Sequence, residues 1–257
     1  MVRVMPLQRI VSSFIYYPEP HWAMTPADLG LEVEEVMLWS EPGVQLHGWF
    51  FPHSKPVATL LFCHGNAGNI SHRLENAYHL LRTGFQVLLF DYRGYGHSSG
   101  EPSEEGLYTD AAAAWAHLAQ REDTVGAPRI IFGRSLGGAV AVELATRVGA
   151  DGLIIESTFT SIRTLARLVF SFPLPGLPIK YDSLSKIGRV TMPLLAIHGK
   201  RDELIPFADG ELLFEAAPEP KTWYPIPGAG HNNTYLVGGE VYFQRLAKFA
   251  SGLRWGQ

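Results

Sequence analysis

Short, almost wholly apolar runs alternate along the chain with longer helix-like segments. The runs lie at Ala58–Cys63, Gln86–Phe90, Arg129–Phe132, Gly152–Ile155 and Leu194–Ile197. Strands of a parallel sheet are buried on both faces, so they read as continuous apolar runs of this length. The pattern therefore predicts five buried parallel strands. Two earlier runs, Val33–Trp39 and Val44–Phe51, flank the turn at Glu41-Pro42-Gly43 and predict an antiparallel hairpin at one edge.

The segments between these runs have the spacing and the end signals of helices. They lie at Ser71–Arg82, Ser103–Gln120, Leu136–Val148 and Val241–Leu253. Strands that alternate with helices of this length imply right-handed crossovers and a doubly wound α/β sheet. Ligands of such sheets bind beyond the carboxyl ends of the strands. The residues that directly follow each apolar run are therefore the candidates for function.

One stretch, Thr158–Pro193, interrupts this alternation. It is rich in aromatic and aliphatic residues, contains three closely spaced prolines, and has a helix-like piece at Ser161–Phe170 but no clear buried strand. We interpret it as a small cap insertion over the strand ends. The alternative is a surface excursion that does not touch substrate.

Length and composition indicate one domain that spans residues 1–257. The chain is 46% hydrophobic and 18% charged, with a formal net charge of −4 and no basic cluster. Binding of nucleic acid is therefore not expected, because it requires clustered lysine and arginine against phosphates. A single cysteine, Cys63, excludes an internal disulfide and favours a cytoplasmic location, although an exported protein poor in cysteine would look the same.

The apolar segment Ile10–Tyr17 is too short to cross a bilayer, which takes about 20 apolar residues. It also lacks the small-residue cleavage site of a signal peptide. We interpret it as a lead-in packed on the domain. The alternative is peripheral membrane contact, because aromatic residues such as Phe14, Tyr16 and Trp22 favour the lipid interface.

The strongest chemical signal is Gly133-Arg134-Ser135-Leu136-Gly137, which follows an apolar run and opens a helix pattern. A strand that turns sharply into a helix strains the central residue, and glycines two positions to either side remove the clash. The serine hydroxyl is thereby exposed at the top of the sheet. Gly-x-Ser-x-Gly occurs often by chance, but the strand-to-helix setting makes Ser135 the predicted nucleophile.

A serine hydroxyl needs a base, and the base needs an orienting acid. On this architecture the order along the chain is serine, acid, histidine. Asp202 follows the run Leu194–Ile197, and His231 lies in a glycine-rich loop after the strand-like Thr222–Ile226. We predict Asp202 and His231 as the partners of Ser135. Glu203 and Glu156 remain alternatives for the acid, and His198 and Lys200 are expected to be structural.

The loop His64-Gly65-Asn66 directly follows the run Ala58–Cys63, and its glycine allows a tight turn. Its backbone amides can point at a carbonyl oxygen. We predict the backbone N–H groups of Asn66 and Leu136 as the oxyanion hole. His64 is expected to orient this loop, and Cys63 to be a buried small residue.

No cofactor or metal is expected. A third glycine-rich turn, Asp91–Gly100, has Ser99 where a dinucleotide-binding fingerprint needs glycine, and no Walker motif occurs. Asp91 and Arg93 are therefore expected to brace neighbouring loops. The histidines lack the spacing of a zinc site.

Taken together, these motifs resemble the abhydrolase-domain serine hydrolases of the α/β-hydrolase superfamily. The resemblance is carried by Phe62–Asn69, Asp91–Ser98, Gly133–Gly138 and the Asp202 and His231 loops, within about Leu31 to Leu253. It implies an α/β-hydrolase fold with a mostly parallel, eight-stranded sheet and esterase or thioesterase chemistry. Members of the group often carry an N-terminal membrane segment before an apolar, proline-containing stretch like Tyr17-Pro18-Glu19-Pro20.

The predicted function is hydrolysis of a carboxylic ester or thioester, through an acyl-enzyme, with a small-molecule or lipid-like acyl substrate. A peptidase or amidase is the first alternative, because the same three residues cleave amides. A non-catalytic binding protein is the second. The sequence does not predict the oligomeric state or the length of the acyl chain.

Overall fold

The computed structural model describes residues 15–164 and 181–253. Within these ranges eight strands form one sheet: β1 (Glu34–Glu41), β2 (Val44–Phe51), β3 (Ala58–Cys63), β4 (Phe85–Phe90), β5 (Arg129–Arg134), β6 (Gly152–Glu156), β7 (Leu194–Gly199) and β8 (Lys221–Ile226). Their spatial order is β8-β7-β6-β5-β3-β4-β2-β1. Strand β2 runs antiparallel to β1 and to β4, and every other neighbouring pair is parallel. The mostly parallel sheet and its edge hairpin are confirmed.

Helices cover both faces of this sheet. They are α1 (Leu74–Arg82), α2 (Glu104–Gln120), α3 (Leu136–Ala145), α4 (Ser183–Ile187), α5 (Phe207–Ala216) and α6 (Thr234–Ser251), with 3-10 turns at Pro26–Leu29, Ile70–Arg73 and Glu122–Thr124. Helices α1 and α6 pack on one face, and α2, α3 and α5 on the other. Every residue of β3 is buried, and successive side chains belong alternately to the two cores. This double burial explains the continuous apolar runs of the sequence.

Outside the predicted cap, two helices differ from the sequence prediction. Helix α5 was not predicted, because Gly210 interrupts its pattern. A Cβ at Gly210 would lie 2.4 Å from the ring nitrogen Nδ1 of His198, so the glycine permits close packing there. The segment α6 consists of two helical pieces separated at Gly239, where φ is +54° and the backbone is not helical. A glycine tolerates this value. The predicted helix Val241–Leu253 corresponds to the second piece, and the first piece, from Thr234, was not predicted.

Parts of two other predictions lie outside the described residues. Residues 165–180 of the predicted cap Thr158–Pro193, including most of the helix-like piece Ser161–Phe170, are among them, as are residues 10–14 of the segment Ile10–Tyr17. In the described part, Phe159 is buried in the core. No helix of the described ranges is long and apolar enough to span a membrane.

The turn after β4 is braced as predicted for Arg93. Its guanidinium donates to Asp110 on α2 at 2.8 Å and to Glu41 at the end of β1 at 2.7 Å. The Arg93 backbone N–H donates to the same Asp110 carboxylate, which is fully buried. One buried ion pair therefore joins the turn, a helix and the edge hairpin.

We expect Asp110→Ala to lower the free energy of unfolding by about 3 kcal/mol, because it leaves a buried guanidinium without its main partner. Asp123→Ala, which removes an exposed partner of Arg121, is the control and should cost less than about 1 kcal/mol. Urea unfolding of both variants measures the difference. Equal, small losses would contradict the assignment of the Arg93 pair as the main brace.

Candidate active site

The turn between β5 and α3 has the strained geometry predicted for a nucleophile. Ser135 adopts φ +56°, and its backbone N–H donates to the carbonyl of Glu156 at 2.9 Å. A Cβ at Gly133 would lie 2.5 Å from the Cβ of Ala141, and one at Gly137 would overlap the carbonyl of Cys63. Side chains at either glycine are therefore excluded, and the serine hydroxyl remains partly exposed beyond the strand.

The structure brings His231 to this hydroxyl. Its Nε2 lies 3.1 Å from the Oγ of Ser135, within hydrogen-bond distance. The histidine follows β8 in a tight loop, where the Gly230 N–H donates to the Oδ1 of Asn233 at 2.8 Å. Only 7% of its side chain is exposed, so the ring has a fixed position.

Asp202 lies on the other side of the imidazole. Its Oδ2 accepts from Nδ1 of His231 at 2.9 Å, while its Oδ1 accepts the backbone N–H groups of Leu204 and Ile205 at 2.9 and 2.8 Å. Burial opposes ionisation of this carboxyl, but hydrogen bonds from His198, His231 and the backbone outweigh burial and hold its pKa well below the usual range. The carboxylate is therefore charged at neutral pH and fixes the proton on Nδ1 of His231.

The other two candidate acids have different partners. Glu203 accepts the backbone N–H of His231 at 3.1 Å, so it contacts the main chain of that residue. Glu156 is fully buried and accepts from Arg134 at 2.9 Å and from Thr234 at 2.5 Å, as well as from the hydroxyl of Tyr242. Asp202 is the carboxylate that meets the imidazole of His231.

The Arg134–Glu156 pair was not predicted from the sequence. Arg134 precedes the candidate nucleophile, and its Nη2 donates to the backbone carbonyl of His231 at 2.6 Å. The pair thus connects the ends of β5 and β6 with the histidine loop. The sequence did carry a signal for this pair, because Arg134 and Glu156 have opposite charges and each ends an apolar strand. The two residues are directly paired in the sheet.

His198 is a second imidazole beside Asp202. Its Nε2 lies 3.1 Å from the carbonyl of Ile205 and 3.4 Å from the Oδ2 of Asp202. Because a carbonyl can only accept, Nε2 carries the proton and points it towards both oxygens. The structural role expected for His198 is therefore to support the acid.

The loop after β3 packs against Ser135. A Cβ at Gly65 would lie 3.4 Å from the Cβ of Ser135, so only a small residue allows this approach. The Gly65 carbonyl accepts from Nδ1 of His64 at 2.7 Å. In a trans peptide the N–H points opposite to the carbonyl, so this bond orients the N–H of Asn66. Leu136, the other predicted donor, is the first residue of α3. The assignment of both N–H groups to an oxyanion hole remains a prediction.

The two residues before Gly65 are fully buried. Burial lowers the pKa of His64 to about 4, although Asp91, 3.6 Å away, opposes this shift. His64 is therefore neutral and donates through Nδ1. Burial raises the pKa of the Cys63 thiol to about 12, so this thiol is not reactive and packs as expected. Among residues 15–164 and 181–253, no group of three or more His, Cys, Asp or Glu side chains is arranged to hold a metal ion.

The chain is similar to known proteins of one superfamily. Residues 54–180 match the family described as serine aminopeptidase, S33. The chain is 36% identical to the α/β-hydrolase domain-containing protein WAV2 of Arabidopsis thaliana, over 89% of this chain and 82% of that protein. It is 37% identical to an uncharacterized protein of Mycobacterium tuberculosis, over 91% of this chain and 85% of that one. The chain belongs to the α/β-hydrolase superfamily.

Solved structures show the same fold. An esterase of Pyrococcus furiosus superposes with a TM-score of 0.78 at 23% identity, over 93% of this chain and 97% of that one. An α/β hydrolase of Vibrio vulnificus gives a TM-score of 0.77 at 22% identity, over 95% and 94% of the two chains. The predicted α/β-hydrolase fold is confirmed, and the family indicates a hydrolase.

The buried, neutral His64 should make folding sensitive to acid. Because its folded-state pKa of about 4 lies below the ordinary 6.5, the unfolded chain binds a proton first as the pH falls. The free energy of unfolding should drop by about 2 kcal/mol from this group between pH 8 and pH 5. Urea unfolding of the wild type and of His64→Gln across this range measures it as a difference in slope. Parallel profiles would show that His64 does not contribute.

Proposed function

We propose that this protein is a serine hydrolase that cleaves carboxylic esters or thioesters through an acyl-enzyme. The observation that carries the proposal is the continuous line of contacts from Asp202 through His231 to Ser135, at 2.9 and 3.1 Å. A serine of ordinary reactivity becomes a nucleophile when a positioned imidazole removes its proton. The fixed tautomer of His231 leaves Nε2 free to accept that proton.

In the proposed reaction, the Oγ of Ser135 attacks the substrate carbonyl while His231 takes the hydroxyl proton. The backbone N–H groups of Asn66 and Leu136 stabilise the negative charge that develops on the carbonyl oxygen. His231, now an imidazolium beside Asp202, gives the proton to the leaving alkoxide or thiolate. Water then attacks the acyl-enzyme with His231 as the base again, which releases the acid and restores Ser135.

Two features support an acyl substrate of small or lipid-like character. The nucleophile lies beyond the carboxyl ends of the strands, at the edge where the predicted cap Thr158–Pro193 leaves β6, and that segment is rich in apolar residues. The solved structure of the similar protein from Pyrococcus furiosus is that of an esterase. Both favour esters and thioesters over charged substrates.

Amide hydrolysis is a second candidate. The family that residues 54–180 match is described as serine aminopeptidase, and the same three side chains can cleave an amide. A peptidase that acts on free N-termini needs an acidic anchor for the ammonium group. The carboxylates described near Ser135 already have partners: Asp202 binds His231, Glu156 binds Arg134, and Glu203 accepts the backbone N–H of His231. We therefore rank esters and thioesters first.

We expect Ser135→Ala to lower ester hydrolysis by several orders of magnitude and to abolish labelling by a fluorophosphonate probe. The measurement uses p-nitrophenyl esters from acetate to palmitate beside an aminoacyl p-nitroanilide. Preference for the esters supports the proposal, and a maximum at longer chains supports a lipid-like substrate. Faster turnover of the anilide would favour the peptidase. Unchanged labelling of Ser135→Ala would refute the assigned nucleophile.

The choice of acid gives a separate prediction. Asp202→Asn should lower kcat by about 10³- to 10⁴-fold, because an amide no longer holds the proton on Nδ1 of His231. Glu203→Gln is the matched control, since its amide oxygen can still accept the backbone N–H of His231. Steady-state kinetics on one ester should show less than about a tenfold loss for this control. The reverse order of effects would make Glu203 the acid.

A further inference from the structure

Residues 15–23, which we call the N-terminal strap, lie along the loop formed by residues 64–69. Tyr17 and Pro18 pair in parallel with Ala67 and Gly68. The Tyr17 N–H donates to the carbonyl of Asn66 at 3.1 Å, and the Glu19 N–H donates to the carbonyl of Gly68 at 3.2 Å. The strap therefore adds a short strand to the loop that is proposed to supply an oxyanion donor.

Both asparagine side chains of this loop are directed at the strap. Asn66 donates through Nδ2 to the carbonyl of Ile15 at 2.8 Å. Asn69, which is fully buried, donates through Nδ2 to the carbonyls of Glu19 and His21, each at 2.8 Å. The Oδ1 of Asn69 accepts from the N–H and hydroxyl of Ser71. These side chains thus bind backbone of the strap and leave the loop amides for other partners.

The strap also determines how the peptide groups around Asn66 are oriented. The Asn66 carbonyl accepts from the Tyr17 N–H and from the hydroxyl of Tyr95 at 2.9 Å. On the other side of the residue, the Gly65 carbonyl is held by His64. The N–H of Asn66 belongs to the Gly65–Asn66 peptide group, which His64 holds, and the strap holds the adjoining Asn66–Ala67 peptide group. The direction of this N–H therefore depends on the strap as well as on His64.

Tyr16 extends the connection to Tyr181, which lies within the predicted cap Thr158–Pro193. Its side chain is buried, and its hydroxyl lies 2.6 Å from the hydroxyl of Tyr181. Tyr181 is also buried, adopts φ +50°, and donates its backbone N–H to Glu104 at 2.5 Å. Burial raises the pKa of Tyr16 to about 12, so both hydroxyls are neutral and one donates to the other. The strap thus joins the loop at residues 64–69 to the described C-terminal part of the predicted cap.

We propose that the N-terminal strap is a positioning element of the active site, which holds the Asn66 N–H in the direction that the reaction needs. The inference rests on the proposed function. Oxyanion donors act because they are fixed before the charge develops, and a misplacement of about 1 Å costs about 100-fold in rate. A loosened strap should therefore reduce kcat and leave the binding of the ground-state substrate almost unchanged.

Two substitutions each remove one contact of the strap while the backbone N–H of Asn66 remains. Asn66→Ala removes the bond to the Ile15 carbonyl, and Tyr16→Phe removes the bond to Tyr181 but keeps the ring. Tyr78→Phe on α1 is the matched control, because the Tyr78 hydroxyl meets Arg82 on the same helix. Asn66→Ala should lower kcat about tenfold to 100-fold with KM within about twofold, Tyr16→Phe should lower it less, and the control should keep wild-type rates.

A trifluoromethyl ketone forms an adduct with serine that carries an oxyanion. Its affinity therefore reports the position of the oxyanion donors, and it would not change if the strap had only a structural role. Its affinity should fall in proportion to kcat/KM in both strap variants. Rates that match the wild type, or losses confined to KM, would overturn the positioning role.

Hydrogen–deuterium exchange of a peptide covering residues 64–69 separates this inference from the proposed function. Exchange should be faster in both strap variants than in the wild type and the control. If Ser135→Ala leaves hydrolysis unchanged, the proposed function fails, yet the exchange result still decides whether the strap holds the loop. Unchanged exchange in both variants would refute the inference whatever the activity.

Discussion

The left-handed backbone of Ser135 is the constraint on which the rest of the site depends. A non-glycine residue in this conformation costs about 1–3 kcal/mol, so its surroundings must hold it there. Hydrogen bonds to both backbone groups of Ser135 do so: its N–H donates to the Glu156 carbonyl, and its carbonyl accepts from the hydroxyl of Thr158 at 2.8 Å and from the Gly138 N–H at 2.9 Å. Gly137 completes the turn, because only a residue without a side chain fits against the carbonyl of Cys63. The nucleophile is therefore positioned by sheet and helix together, before any substrate arrives.

A buried ion pair connects this turn with the loop that carries His231. Arg134 forms an ion pair with Glu156 and also holds the backbone of His231. Glu156 in turn accepts from Thr234, the first residue of α6. A buried ion pair adds little net stability, because the desolvation of both charges offsets their attraction. Its geometric effect is larger, since three chain segments far apart in sequence must meet at one carboxylate. We therefore interpret the pair as the part of the molecule that sets the distance between Ser135 and His231.

The sequence was sufficient for the sheet, because each strand buried on both faces carries its own apolar signal. It also identified Ser135, Asp202 and His231, because each lies after a predicted strand and their order along the chain is the one this architecture uses. What it missed are contacts whose partners lie far apart along the chain. The strap at residues 15–23 is mostly exposed and has no periodic pattern of hydrophobic residues. Most of its hydrogen bonds are accepted by backbone carbonyls, which every residue has, so the amino-acid sequence does not reveal them. Helix α5 was missed for a local reason: Gly210 lowers helix propensity, and only the close approach of His198 explains it.

The two predicted oxyanion donors differ in what holds them. The Leu136 N–H belongs to the first turn of α3, which is buried along its whole length, so its direction is fixed by the helix and by the core around it. The Asn66 N–H belongs to a loop held by single hydrogen bonds from His64, Tyr95 and the strap. Local openings of a protein begin where few buried apolar contacts resist them. The same loop is linked through Tyr16 to Tyr181, which lies within the predicted cap Thr158–Pro193. The Asn66 donor is therefore connected by hydrogen bonds to the cap segment, whereas Ser135 and the Leu136 donor are held by the sheet and by α3.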